Sequence, residues 1–508
     1  MLNKLFRKLN KNNIHSSDEF EVALSNNLNE MVESLLKIFG DSNDIVQRDF
    51  KIAKTKSAVL FYIEGLSDAD SIEEDVVKPL QQIKSEAINE QKDEVIKQAI
   101  QDSINLTQID FSANFDDAIL PFMSGKSLLV VDGLAKLIIL GTITYENRGI
   151  EEPQSEVLIR GPRDGFIENL PTNIVLIRRR IRDPNLTIQL GKLGRRSKND
   201  FAIIYIKGIT DESLVEEVRY RISCIDRATI EESGTIEQLI EDNVLSPFPQ
   251  ILQTERPDKA AASLNNGQVI ILVDGTPFSL ITPITFEQLF KSTEDYYDRW
   301  QIGSLIRMLR YSAAFIALFL PSLYIAMISY HQGMIPTTLA LSIAGAREGV
   351  PFPAFVEALL MELTLELLRE AGVRLPRAVG QTIGIVGGLV IGDAAVRAGI
   401  VNPIMVIVVA LTAIASFAIP AYNVSITLRM LRFFLMLLAA SFGLFGIIIA
   451  YIAINIHLVG LRSFGRYYTS PFAPYRFIDL MDTVIRMPLT INKKRNDSEH
   501  TADPVKQK

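Results

Sequence analysis

Apolar residues are distributed along this chain in two different ways. Up to about residue 295 they recur in short runs or at helical spacing among charged positions, whereas from 311 to about 460 they form several runs near the length that crosses a bilayer. The pattern predicts an α/β soluble region followed by an α-helical multi-pass membrane domain. At the start, Phe20, Leu24, Leu28, Met31, Leu35 and Phe39 recur every three or four residues, with Ser16 or Ser17 as cap and Gly40 as stop. This spacing predicts one amphipathic helix within residues 1–40, whose target surface the chain does not reveal.

The soluble region contains an internal duplication. AVLFYIEGLSDADSIEEDVV resembles FAIIYIKGITDESLVEEVRY, which pairs Tyr62 with Tyr205, Gly65 with Gly208 and Asp68 with Asp211. SLLVVDGLAKLIIL resembles VIILVDGTPFSLIT at almost the same offset and pairs Asp132-Gly133 with Asp274-Gly275. Each copy predicts an apolar strand, a Gly turn, a helix opened by Asp, further helix, and two strands joined by Asp-Gly, a short hairpin signal. Two similar α/β subdomains follow, 41–148 and 188–290, joined by a basic linker, 149–187. Its Arg178, Arg179, Arg180 and Arg182 read either as an ion-paired or solvated helix end, or as a contact with anionic lipid or a partner subunit.

The membrane domain, 291–460, opens with EDYYDRWQIGSLIRMLR, an amphipathic lead suited to a bilayer surface. A first span then runs from about Tyr311 to Tyr330. GMIPTTLALSIAGAREGVPFP has an apolar stretch too short to cross, bounded by Pro, and reads as re-entrant. A glutamate-bearing helix and a glycine-bearing helix from about Ala378 to Val396 follow, then a crossing from Ile404 to Ile419, a polar joint AYNVSITLRMLR, and a last crossing from Phe433 to about Asn455. Arg299, Arg307 and Arg310 precede the first span, and Arg462, Arg466 and Arg476 follow the last, which places both ends inside and predicts an even number of crossings, four. The cytoplasmic tail, 461–508, is charged beyond Pro488 and reads there as disordered.

Composition narrows the function. A net charge of −7 argues against a nucleic-acid partner. A single cysteine, Cys224, permits no disulfide within the chain and suits a reducing compartment. The N-terminus lacks a signal-peptide core, so the soluble half is expected in the cytoplasm. His15, His331, His457 and His500 lack metal-ligand spacing. Gly125-Lys126-Ser127 resembles the end of a phosphate-binding loop, but residue 120 is Leu and a strand follows. No catalytic, metal or cofactor site is expected, and the chain does not read as an enzyme.

Two features of the membrane half carry candidate chemistry. Gly380, Gly384, Gly388 and Gly392 fall every fourth residue in an apolar stretch, a stripe that lets a second helix approach closely. Asp393 and Arg397 are spaced to neutralise each other at its end. Glu362, Glu366, Glu370 and Arg369 lie within about 100° of arc on the preceding helix. Acids there face water, a partner or a pore, since burial in hydrocarbon costs several kcal/mol. The three glutamates are candidate ion-path residues. The alternatives are an interfacial helix, with Glu366 paired to Arg369 and Glu370 to Arg374, or a subunit contact.

PFPAFVEALLMELTLELLREAGVRLPRAVGQTIGIVGGLVIGDAAVRAGIVNP, RGPRDGFIENLPTNIVLIRRRI, FPQILQTERPDKAAASLNNGQVIILVDGTPF and EDYYDRW resemble the A-subunit family of bacterial spore nutrient-germinant receptors, the GerA type. The resemblance covers about Glu156 to Pro488. It implies a receptor subunit of the spore inner membrane that triggers germination, a transporter-like B subunit and a lipoprotein C subunit as partners, membrane lipid around it, and a homo-oligomer enclosing an ion path. A non-conducting scaffold and a secondary transporter subunit are the rival readings; a transporter favours repeated membrane halves, whereas the repeat here is soluble.

Overall fold

The structure is a computed structural model that describes residues 24–83, 93–144, 152–374, 388, 390–480, 482–488, 490, 495, 501 and 503. Two five-stranded antiparallel sheets carry the first half. One comprises β1 (Ile45–Ile52), β2 (Lys56–Ile63), β3 (Ile109–Ser112), β4 (Ser127–Val131) and β5 (Leu137–Leu140) in the order β1-β2-β4-β5-β3. The other comprises β6 (Leu186–Leu193), β7 (Asn199–Ile206), β8 (Leu252–Thr254), β9 (Val269–Val273) and β10 (Ser279–Thr282) in the order β6-β7-β9-β10-β8. Register repeats as well as order. Ala58 opposite Val131 corresponds to Phe201 opposite Val273, and Asp110 opposite Ile139 to Leu252 opposite Ile281.

The paired motifs explain this. Both Asp-Gly pairs turn between central strands, with Gly133 at φ 77° and Gly275 at φ 86°, where a side chain would be strained. The Gly133 amide donates to the Asn26 carbonyl at 2.9 Å, and that of Gly275 to the Glu168 carbonyl at 2.8 Å. Asp68 and Asp211 cap the helices that follow β2 and β7. The correspondence also extends further towards the N-terminus than the sequence pattern suggests. Leu28–Phe39, capped by Asn27, matches Leu170–Arg180, capped by Asn169, so the expected linker holds the first helix of the second copy. Met31, Leu35 and Phe39 bury against Phe61 and Phe122, with Phe39 stacked on Phe122 at 4.6 Å. Burying one such ring stabilises by about 1.5–3 kcal/mol. The first sheet is thus the surface this helix covers; its expected portion before residue 24 lies outside the described residues. Each sheet also has a strand at either edge that the pattern missed. β1 and β6 carry exposed polar residues, and β3 and β8 have only four and three residues, so none shows an apolar run.

A buried ion pair stands where the copies meet. The loop before β1 lies along the edge of β6: the Asn43 amide donates to the Ile188 carbonyl at 2.9 Å, and its side-chain oxygen accepts from the Leu190 amide at 3.0 Å. Arg178, fully buried, donates to both carboxylate oxygens of Asp44 at 2.7 and 2.9 Å and to Ser42 Oγ at 2.8 Å. Arg180 pairs with Asp164.

The second half is a helical bundle that shares one apolar core with the second copy, whereas the first copy has clusters of its own. Its helices are Trp300–Ser329, Thr337–Arg347, Ala354–Arg374, a helical stretch at 390–397, Pro403–Phe417, Tyr422–Phe442 and Leu444–Gly460. Trp300–Ser329 and Tyr422–Phe442 are long and apolar enough to cross a membrane; Pro403–Phe417 and Leu444–Gly460 are apolar but shorter. The lead divides in two: Glu294–Tyr297 is a short helix of its own, and from Trp300 onward the lead is continuous with the first span, with Arg307 and Arg310 buried. Two expectations need correction. The polar joint is helical and opens Tyr422–Phe442. The last expected crossing, Phe433–Asn455, is two helices, broken at Gly443, whose φ of 63° ends one and starts the next. The chain after Gly460 returns to the second copy. Tyr468 is buried there and its hydroxyl donates to the Pro249 carbonyl at 2.7 Å. Most residues beyond Pro488, the expected disordered tail, lie outside the described set; Arg495 donates to the Asn265 carbonyl at 2.8 Å.

The α/β half yields two tests. Asp44→Ala leaves Arg178 buried without its carboxylate, a loss on the order of 3–5 kcal/mol. Hydrogen exchange should show lost protection in β6 while β9 stays protected. The second concerns pH. Burial, reinforced by Glu241, pushes the Glu237 carboxyl up from 4.5 to about 7. A native pKa above the unfolded one means that folding takes up protons between those values, so this group's stability contribution is lost as pH rises from about 4.5 through 7. Glu237→Gln should therefore change the melting temperature little at pH 5 and raise it at pH 8, by an equivalent of up to about 3 kcal/mol.

Candidate functional site in the helical bundle

Trp300–Ser329 is the central helix, packed mainly against Tyr422–Phe442 and Pro403–Phe417. The helix ends gather at two levels. At the level nearer the sheets lie Trp300, the joint from Phe417 to Tyr422, and Gly460; at the other, Tyr330 donates its hydroxyl to the Ser441 carbonyl at 3.2 Å beside Gly443, and the Asn402 side chain meets the Tyr324 hydroxyl at 3.4 Å. Ala354–Arg374 runs between these levels; Glu362, Glu366 and Glu370 follow one another every four residues along one side, and Glu357 lies on another face near its start.

Each acid meets a different cation. Near the far level Glu357 pairs with Arg347 at 3.0 Å and accepts from the Asn402 amide at 2.8 Å. Glu362 is buried and accepts from Arg432 Nη1 at 2.7 Å, while Arg432 Nε donates to the Ala317 carbonyl of the central helix at 2.7 Å. Glu366 accepts from Arg369 at 2.7 Å and from Arg429 at 3.2 Å. Glu370 pairs with Arg374 at 2.5 Å and is exposed. Arg429 and Arg432 are the partners that sequence reasoning missed. Their signal was present, two arginines three apart in TLRMLRFFLMLL, but a helix periodicity cannot say which distant acid they meet.

The glycine stripe is described only in part: Gly380 and Gly384 lie outside the described residues. A side chain added at Gly388 would meet nothing within 4 Å, and one at Gly392 would contact Val406 at 3.7 Å. Asp393 and Arg397 pair at 2.8 Å.

A second charged cluster lies at the foot of the central helix. Arg307, fully buried, donates to Asp295 at 2.9 Å and to Asp482 at 2.9 Å; Arg310 donates to both oxygens of Asp295 at 2.7 and 2.8 Å. Tyr296 donates to Asp482 at 2.7 Å. Burial alone would raise Asp482, but Lys291 and Arg307 hold it below the usual carboxylate range. Near the same level His457 bonds Ser246 at 2.9 Å, while His331 lies beside Gly443 at the opposite level.

The geometry separates the three candidate glutamates. Glu362→Gln strands the Arg432 charge in the core, a penalty on the order of 3–5 kcal/mol, while an exposed pair such as Glu370–Arg374 contributes about 0–1 kcal/mol. The expected outcome is a sharp loss of folded full-length protein for Glu362→Gln, recovered by adding Arg432→Met, and near-normal levels for Glu370→Gln, measured as melting temperature in detergent.

Comparisons with known proteins agree with the sequence pattern. A family model described as Bacillus/Clostridium GerA spore germination protein matches residues 33–498. The chain is 46% identical over 486 residues to spore germination protein GerLA of Bacillus cereus, covering 95% of this chain and 97% of that one. It is 45% identical over 491 residues to spore germination protein KA of Bacillus subtilis (strain 168), covering 96% of this chain and 90% of that one. Among solved structures, the N-terminal domain of the A subunit of the Bacillus megaterium spore germinant receptor GerK3 matches with 36% identity and a TM-score of 0.42, over 52% of this chain and 98% of that one. The family match spans both the duplicated sheets and the helical bundle, and this chain belongs to the GerA spore germination protein family.

Proposed function

We propose that this chain is the A subunit of a nutrient-germinant receptor in the spore inner membrane, acting with a B and a C subunit to trigger germination. In this reading the duplicated α/β half lies on the cytoplasmic side and the bundle crosses the bilayer several times. Copies assemble so that the helix bearing Glu362, Glu366 and Glu370 borders an ion-conducting path. The observation that carries the proposal is the run of carboxylates inside an apolar bundle, placed where a charge is retained only against a partner, water or a pore. Glu366 and Glu370 keep part of their carboxylate surface exposed, whereas Glu362 contributes to a path only when its pair with Arg432 opens. The stripe of Gly380, Gly384, Gly388 and Gly392 supplies the close contact between copies; the open space at Gly388 supports this.

A non-conducting scaffold is the second reading. It is favoured by the arginine that each of the three glutamates already has within one chain. Full-length protein reconstituted in liposomes separates the two. A ring of negative charge raises the local cation concentration, so Glu366→Gln and Glu370→Gln should lower cation flux or shift cation selectivity while oligomer size stays the same. Equal flux from parent and both variants would leave the scaffold reading.

A further inference from the structure

Two loops, one leading into the second copy and one within it, end in apolar residues that the chain leaves uncovered. Ile159 and Leu245 are each 94% exposed, and Val157 and Val244 beside them are also exposed. Neither loop dangles. The Asn243 side chain accepts from the Leu245 amide at 3.1 Å, Ser246 is bonded to His457 near the end of Leu444–Gly460, and the Pro247 carbonyl accepts from Thr427 in the second turn of Tyr422–Phe442. Val157 and Leu158 line a cavity with Phe417, Ala418 and Pro420, the end of another apolar helix. Both tips are thus held at the level where the apolar helices of the bundle begin and end.

We infer that these two loops dip into the bilayer interface and seat the soluble half flush on the membrane. The inference rests on the reading of the bundle as membrane-spanning. A lipid surface is the occupant because the tips adjoin helices that would already stand in it. Trp300 and Tyr422, exposed at this level, are aromatic residues of the kind that settles among headgroups. Arg160, next to Ile159, keeps 70% of its side chain exposed, with Asp298 at 3.6 Å, and so presents a cation to anionic headgroups.

Depth-dependent quenching tests this on the full chain. Cys224, exposed and the chain's one cysteine, is replaced by Ser, and Ile159→Cys, Leu245→Cys, Ile414→Cys and Leu120→Cys are introduced singly and labelled with a fluorophore. Ile414 lies exposed on Pro403–Phe417, and Leu120 lies exposed in the first copy. The proteins are reconstituted in phosphatidylcholine–phosphatidylglycerol vesicles carrying a spin label high on the acyl chain. Labels at 159, 245 and 414 should lose most of their fluorescence, and the label at 120 should keep it. If 414 is not quenched, the membrane reading itself fails. If 414 is quenched while 159 and 245 respond only to aqueous iodide, the loops stand in water and the inference is overturned. Shielding of 159 and 245 from both quenchers would mean a protein covers them, which overturns it equally.

Discussion

A guanidinium removed from water costs several kcal/mol unless a carboxylate is removed with it and the remaining N–H groups find acceptors. That constraint governs how the parts of this protein are joined. Arg178 reaches Asp44 between the two copies, Arg307 reaches Asp295 and Asp482 between the central helix and the segments flanking the bundle, and Arg432 reaches Glu362 inside the bundle. Apolar packing fills the space around each pair but has no direction. The ion pairs have one, since a guanidinium accepts only a few geometries of its partner. They therefore set the relative placement of bodies that the hydrophobic effect alone would merely hold together.

The pairs also form a route through the molecule. The first copy is tied to the second, which shares its core with the bundle, and the bundle's central helix starts in the Asp295 cluster and passes Ala317, the carbonyl that receives Arg432. A displacement of the soluble half must either carry the foot of the central helix with it or break buried pairs. Breaking them is costly, so the parts are built to move as linked units.

The duplication shows where two near-identical folds had to differ. The position of Arg178 is occupied by Leu36 in the first copy, and Ser42-Asn43-Asp44 corresponds to Asp183-Pro184-Asn185 in the second. Asn43 contributes both a donor and an acceptor to the edge of β6. Pro184 has no amide hydrogen, so the second copy cannot offer the same contact to another β edge. The interface between copies is thereby one-directional. Repetition of the fold does not become repetition of the contact.

Local chemistry was legible in the chain. Asp132-Gly133 and Asp274-Gly275 announce their turns because few residues tolerate φ > 0, Asp68 and Asp211 announce helix starts because their carboxylates bond nearby amides, and the long apolar runs announce the bundle. These signals depend on residues within a few positions of one another, and a duplicated pattern made them stronger. Edge strands escaped notice because β1 and β6 interleave apolar with exposed polar residues and β3 and β8 are only four and three residues long. Gly443 was hidden in a continuous apolar stretch, where nothing local distinguishes a straight helix from two joined by a left-handed residue. Glu362, Glu366 and Glu370 could be singled out by spacing, but their partners Arg432 and Arg429 are 70 and 63 residues away for the first two. Asp44 and Arg178 are 134 apart. The sequence by itself determined which groups needed a partner, because burial of charge is costly wherever it occurs; only the tertiary structure decided which partner each received, because that depends on how distant helices and sheets pack in space.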